Sequence, residues 1–168
     1  MNTKNVIITG GTGFVGANLT KRLVKDGHNV HLFVRQEYKD WRIKDFLPHL
    51  RIHAVNLLDS ELLRAKIAAI RPDWVFHLAT YGAYSWQDDF NLAIQTNFLS
   101  TVNLVEACRN VGFDVFVNTG SSSEYGFKDH APLETDWIDP NSYYAVTKAS
   151  ATLFVDTLPN VITSIFLH

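Results

Sequence analysis

A single cysteine, Cys108, among 168 residues excludes an internal disulfide and fits a reducing compartment. It lies in an apolar helical stretch, where a small buried thiol is expected and a nucleophile is not. Excess charge of either sign is also missing. Fifteen Lys and Arg against seventeen Asp and Glu leave a net charge of −2, which argues against a nucleic-acid or membrane-surface partner. No apolar run is long enough to span a bilayer. The chain enters a strand almost at once, so no secretory leader is expected and a cytoplasmic location is. Seven histidines show no paired ligand spacing, and no metal site is predicted.

What is present is a regular alternation. Apolar runs at Asn5–Thr9, Val30–Val34, Ile52–Asn56, Trp74–Leu78, Val115–Thr119 and Val161–Phe166 read as strands. Helical patterns fill Gly13–Asp26, Ser60–Ile70, Phe90–Val111 and Ser142–Thr157. Ser60 is placed to cap the second helix, and Arg71-Pro72 to end it. The strands are continuous apolar runs, as expected when both sheet faces are covered. One α/β domain over residues 1–168, a doubly wound parallel sheet with right-handed crossovers, follows. The stretch Gly120–Asn141 has few regular signals, and a loop that long is usually functional.

The most informative segment is Asn5–Gly16, NVIITGGTGFVG. A strand that ends in a Gly-rich turn and opens a helix is a phosphate-binding device. Missing side chains let a pyrophosphate approach the backbone, and first-turn N–H groups meet its charge. Gly10, Gly13, Phe14, Val15 and Gly16 are the candidate cofactor contacts. The following helix places Phe14, Val15, Leu19, Leu23 and Val24 on its apolar stripe. Ligands of such sheets sit beyond the carboxyl ends of the strands, which adds Leu78 and Ala79 after strand 4 and Leu57 after strand 3. Asn56 and Asp59 are candidates either for the adenine edge or for capping the next helix. After strand 2, Arg35 is a fixed cation suited to a 2′-phosphate, which favours NADP over NAD, although Glu37 is close by.

Tyr144 and Lys148 form Tyr-x-x-x-Lys at the head of a helix, a spacing that puts both on one face. A free phenol is a poor base at neutral pH; a neighbouring ammonium and a cationic nicotinamide favour its ionised form. Tyr144 is the candidate base, Lys148 its electrostatic partner and a holder of the nicotinamide ribose. Ser121 is the candidate ligand of the reacting oxygen. Tyr143 has Thr147, not lysine, four residues on. By itself the pair is a weak signal; the order of glycine turn, serine cluster, Tyr and Lys strengthens it.

With these motifs the chain resembles the extended short-chain dehydrogenase/reductases, and within them the NAD(P)-dependent nucleotide-sugar epimerase/dehydratase family. The matching residues are Thr9–Gly16, His77-Leu78-Ala79, Thr96-Asn97, Asn103–Arg109, Ser121–Gly126 and Pro140–Lys148. The resemblance implies a Rossmann fold, a tightly held NAD or NADP and a nucleotide-diphosphate-sugar substrate. It maps the catalytic Ser/Thr to Ser121 and the family's structural asparagine, near the cofactor, to Asn97. Tyr81, Ser122 and Ser123 are then substrate candidates, with Ser85 and Trp86 nearby.

The 4,6-dehydratases of this family carry acidic residues just after the catalytic Ser/Thr. Here Ser122 and Ser123 stand there, and Glu124 comes one position late and would point elsewhere in an extended segment. Dehydratase therefore ranks below epimerase or keto-sugar reductase. The family also continues past strand 6 into a substrate-binding region, whereas this chain stops at Ile165-Phe166-Leu167-His168. A truncated or non-catalytic dinucleotide-binding module is the alternative. The helix pair 90–111 and 142–157 resembles the pair that forms a homodimer interface in relatives; Phe98 and Phe154 are candidates for that contact and equally for internal packing.

Overall fold

The computed structural model describes residues 2–164. Six parallel strands form one sheet: β1 (Asn5–Thr9), β2 (Asn29–Val34), β3 (Leu50–Ala54), β4 (Trp74–His77), β5 (Val115–Thr119) and β6 (Val161–Ser164), in the order β3-β2-β1-β4-β5-β6. This is the strand order of the Rossmann fold, whose topological switch lies between β1 and β4. The expected β3 begins two residues earlier than its apolar run suggests. The end of the expected sixth strand, residues 165–166, lies outside the described residues.

Both faces of β1 and β2 are buried, which is why these central strands do not alternate, whereas β4 and β5 alternate between buried and half-buried residues. On one face Val6, Ile8, Val30 and Leu32 pack with Ala17 and Leu23 of α1 (Phe14–Lys25) and with Ile43. On the other, Ile7, Phe33, Val75 and Phe116 pack under α2 (Ser60–Ile70), α4 (Ser100–Arg109) and α5 (Tyr143–Val155), through Leu63, Ile67, Leu104 and Val155. Cys108 is in this second core, and burial pushes its thiol up to about 12. It is an apolar filler. No helix among the described residues is long and apolar enough to cross a membrane.

Three sequence expectations are corrected. Phe14 and Val15 do not join the core stripe of α1; they are exposed at its first turn, and Gly16, Ala17, Thr20 and Leu23 face inward. Asp59, not Ser60, caps α2, because its carboxylate accepts the Leu62 N–H at 3.0 Å. Arg71 does end that helix, in a left-handed conformation before Pro72. The helix expected over 90–111 is not continuous. A short α3 (Phe90–Ala93) runs into a widened π turn (Ile94–Leu99) before α4. The Ser100 and Thr101 hydroxyls bond back to the carbonyls of Thr96 and Asn97 there, a competition for backbone acceptors that distorts helices. Of the two roles open to Phe98 and Phe154, the internal one is realised: their rings meet edge to face, with centroids 6.4 Å apart.

Candidate functional site

The β1–α1 turn is built by close approach. Gly10 has φ +69°, and a Cβ on it would lie 2.6 Å from the Leu78 carbonyl carbon and oxygen beyond β4. A Cβ on Gly16 would lie 2.3 Å from the Gly10 carbonyl oxygen. Gly10 can therefore pack against the chain beyond β4, and Gly16 against Gly10, only without a side chain. Gly13 occupies the N-cap of α1, where no side chain caps the helix. The first-turn N–H groups are left without the usual oxygen partner, which is the arrangement an anion satisfies.

In front of this turn a cleft of ≈ 880 Å³ opens along the carboxyl ends of β1, β2, β3 and β4. Gly10, Gly13, Arg35, Asn56, Leu57, Leu78 and Ala79, all expected cofactor contacts, line it, as does Tyr81. Phe14, Val15, Gly16, Asn97, Tyr144 and Lys148 do not line it. The Asn56 side chain accepts from Leu58 N–H at 3.0 Å within its own turn, and of the two candidates it is Asp59 that caps the next helix. Three cations, Arg35, Lys39 and Arg42, border the cleft beyond β2 together with Glu37; Arg42 also stacks on Trp41. Lys39 and Arg42 lie in an irregular segment with no pattern to single them out.

Asn97 is fully engaged inside the protein. Its amide nitrogen donates to the Tyr81 carbonyl (2.7 Å) and the Thr147 hydroxyl (2.9 Å), and its oxygen accepts from Tyr81 N–H (2.8 Å) and the Thr80 hydroxyl (3.1 Å). It clamps the loop after β4 to α5 and has no capacity left for a cofactor. Its expected place among the cofactor contacts is corrected to that of a structural clamp. Thr147 in turn donates to the Tyr144 carbonyl, so the clamp reaches the turn of α5 that carries the candidate base.

A second network was not legible in the motifs. The Thr101 hydroxyl donates to the Asn97 carbonyl (2.8 Å), so it must accept at 3.0 Å from His77 Nε2. His77 Nδ1 then accepts from the Thr9 hydroxyl (2.6 Å), which accepts the Ala79 N–H (3.2 Å). Only the neutral Nε2–H tautomer satisfies every partner. Burial, with the Lys148 charge adding to it, pushes His77 down to about 3. His31 is also lowered, to about 4, by burial beside His53, which stacks on it.

Histidines held neutral in the fold take up protons near 6.5 once unfolded, so stability is complete above that pH and is lost as pH falls towards the folded values. His77 alone contributes a slope of about 1.4 kcal/mol per pH unit in that window. Urea midpoints at pH 7 and pH 5 will show this loss, and His77→Gln will flatten it; an unchanged acid slope in the variant would contradict the tautomer assignment.

Tyr144, on α5, packs its Cβ and ring edge over Gly82, each 3.5 Å from where a Gly82 Cβ would stand. Gly82 is held in turn by Gln87, whose side-chain oxygen accepts the Gly82 and Tyr84 N–H groups. Trp86 is exposed and stacks on Tyr84 (4.6 Å); it and Ser85 do not line the cleft. Lys148 is 4% exposed, and its ammonium donates to the Thr119 carbonyl at the end of β5. Burial lowers it to about 8, against the opposing pull of Glu124, so it stays mostly cationic at neutral pH.

Ser121, Ser122 and Ser123 also lie outside the cleft lining. Ser121 caps a short 3₁₀ turn (Ser122–Tyr125) in a reciprocal box: its oxygen accepts Ser123 N–H (3.2 Å), and its own N–H is taken by Glu124 (2.7 Å). The segment is thus not extended, and Glu124 folds back under Ser121. The Ser-x-x-Glu spacing is a capping-box signature that could have shown this. Among the described residues no cluster of three or more metal-ligating side chains occurs.

A Rossmann sheet, a glycine-rich turn at an uncapped helix start and a cleft at the strand ends are the arrangement in which this fold class holds dinucleotides. The model of the NAD dependent epimerase/dehydratase family matches residues 6–159, and the chain belongs to that family. It is 32% identical over 154 residues to the uncharacterized UDP-glucose epimerase YtcB of Bacillus subtilis, covering 85% of this chain and 48% of that protein. It is 33% identical over 168 residues to GDP-mannose 4,6-dehydratase of Vibrio cholerae, covering 90% and 44%. The crystal structure of WbmH of Bordetella bronchiseptica in complex with NAD+ superposes with TM-score 0.87 at 25% identity, over 98% of this chain and 56% of that one. The chain spans about half the length of the curated relatives it matches.

Proposed function

We propose that this chain is the dinucleotide-binding part of an enzyme that acts on a nucleotide-diphosphate sugar by transient oxidation to a keto-sugar, with epimerisation ranked first and keto-sugar reduction second. The observation that carries the reading is the uncapped, glycine-rich β1–α1 turn facing a cleft that runs to Tyr81. Gly10, Gly13 and the backbone of Phe14, Val15 and Gly16 would hold the pyrophosphate, and Leu57, Leu78 and Ala79 the flanks of the cofactor. When bound, the nicotinamide accepts and returns hydride. Tyr144 takes the proton from the sugar hydroxyl; Ser121 hydrogen-bonds the same oxygen, with Ser122 and Ser123 beside it. Lys148 supplies positive charge one helical turn away. In the reductase reading the proton moves from Tyr144 to the sugar oxygen.

Arg35, Lys39 and Arg42 at the adenosine end support NADP, whereas WbmH was crystallised with NAD+. Calorimetric titration with both dinucleotides tests this: tighter binding of NADP+, lost in Arg35→Ala, is expected, and preference for NAD+ rejects the assignment. The catalytic assignment is tested by Tyr144→Phe in the full-length protein. A loss on the order of 10²–10⁴-fold in turnover is expected for removal of a general base, with dinucleotide binding retained; unchanged turnover rejects it. Tyr143, Val146 and Leu153 are exposed along α5 and support the homodimer reading, which light scattering tests.

A further inference from the structure

Glu124 is a carboxylate with no exposure to solvent in a segment where function otherwise rests on hydroxyls and amines. Its place is specific. One oxygen accepts the Ser121 N–H at 2.7 Å, its own N–H donates to the Ser121 carbonyl at 3.0 Å, and its carbonyl accepts the Asp139 N–H at 2.9 Å. The turn ends at Gly126, which has φ +67° and where an added Cβ would stand 2.0 Å from the Asp139 carbonyl oxygen. On the other side the carboxylate faces α5. Positions 144, 148, 152 and 156 recur every four residues and so share one face of that helix. Tyr144 and Lys148 begin this stripe, and the Thr152 hydroxyl neighbours the carboxylate further along it.

We propose that Glu124 is a positioning residue: its buried carboxylate fixes the backbone of Ser121 and supplies the counter-charge for Lys148, joining the two groups on which the proposed chemistry depends. The inference rests on the reading above for the importance of Ser121 and Lys148, but not for the coupling itself. A buried ammonium is costly without an opposite charge. The groups that act on Lys148 are Glu124 from the 3₁₀ turn, the Thr119 carbonyl from β5 and His77 from β4, held neutral; Tyr144 lies one turn back on its own helix. Glu124 itself also feels Asp156. Of these, Glu124 alone carries the opposite charge and so raises the lysine through it, while its own carboxyl is raised by burial. Removing that charge leaves Lys148 neutral at a lower pH, where it no longer favours an ionised phenol beside it.

Two substitutions separate the two roles. Glu124→Gln keeps an oxygen for the Ser121 N–H and removes the charge. Glu124→Asp keeps the charge and withdraws it from that N–H. Lys148 is followed by NMR of isotope-labelled lysine in a pH series around its value of about 8, and Ser121 by amide hydrogen exchange. Glu124→Gln is expected to move the Lys148 midpoint down by about one unit with Ser121 protection kept. Glu124→Asp is expected to leave the midpoint in place and lower Ser121 protection at least tenfold. An unmoved Lys148 midpoint in a folded Glu124→Gln protein overturns the proposal. If that variant does not fold, Glu124→Asp decides through Ser121: unchanged Ser121 protection overturns the proposal, and the tenfold loss supports it. If the coupling holds while Tyr144→Phe leaves turnover intact, the functional reading fails and the coupling stands.

Discussion

Gly16→Ala will destabilise the domain by about 3 kcal/mol or more and weaken dinucleotide binding well beyond tenfold. The added Cβ would stand 2.3 Å from the Gly10 oxygen and 2.8 Å from the Gly11 Cα. Both are backbone atoms of the turn, so no rotamer change relieves the contact, and α1 must lift away from β1. Overpacking against flexible side chains costs about 1–3 kcal/mol; contact with a rigid turn belongs at or above the top of that range. Lifting α1 also moves its uncapped first turn away from the cleft, so affinity falls with stability. Gly27→Ala is the control. It has φ +84° but nothing within 4 Å of an added Cβ, and only the left-handed backbone penalty of about 1–2 kcal/mol applies. Denaturant melts and calorimetric titration of the two variants check this. Equal losses at both positions would show that backbone conformation, not close packing, sets the demand for glycine at 16.

Asn97→Leu will cost roughly 3–5 kcal/mol, because the side chain is similar in size but satisfies none of four groups. The Tyr81 N–H and carbonyl and the Thr80 and Thr147 hydroxyls all lose a partner. A buried polar group left unpaired costs about 1–3 kcal/mol. Thr147 keeps its bond to the Tyr144 carbonyl, Thr80 is exposed and Tyr81 only half-buried, which holds the total below the full sum. Against a typical domain stability of about 5–15 kcal/mol this is a large fraction. The loop after β4 loses its tie to α5, so Tyr81, in the cleft, and Gly82, against Tyr144, lose their fixed relation. Hydrogen exchange at Tyr81 and Gly82 is expected to accelerate together. Fast exchange at Tyr81 alone would show that Gln87, not Asn97, holds the Gly82 half of the loop.

Much of the cofactor cleft was readable because its elements are local. A strand, a glycine turn and a helix follow one another within a dozen residues, and that order carries its own chemistry. The carboxyl ends of β2, β3 and β4 follow from topology once the parallel sheet is accepted, which is how Arg35, Asn56, Leu57, Leu78 and Ala79 were reached. Phe14 and Val15 were misplaced as core because a helix start at a ligand turn has no covering layer, a feature that periodicity does not report. The π turn was hidden for a similar reason: its apolar spacing is close to helical, and the hydroxyl bonds of Ser100 and Thr101 that accompany it carry no hydrophobic signal.

By itself the amino-acid sequence determined the layer order, the glycine-rich turn and the Tyr-x-x-x-Lys face, since each depends on residues within about one helical turn or one strand of each other. Only the tertiary structure decided which polar groups meet. Thr9 and His77 are 68 residues apart and bond because β1 and β4 pair in parallel. Asn97 and Thr147 are 50 apart and bond because the widened turn and α5 pack together. Glu124 was read as late by one position; it is buried because the 3₁₀ turn carries it under Ser121 and α5 closes over it. Hydrophobic spacing records what must leave water, but it does not record which buried donor will find which acceptor. That pairing is fixed only when the packed sheet and helices bring distant residues within hydrogen-bond reach.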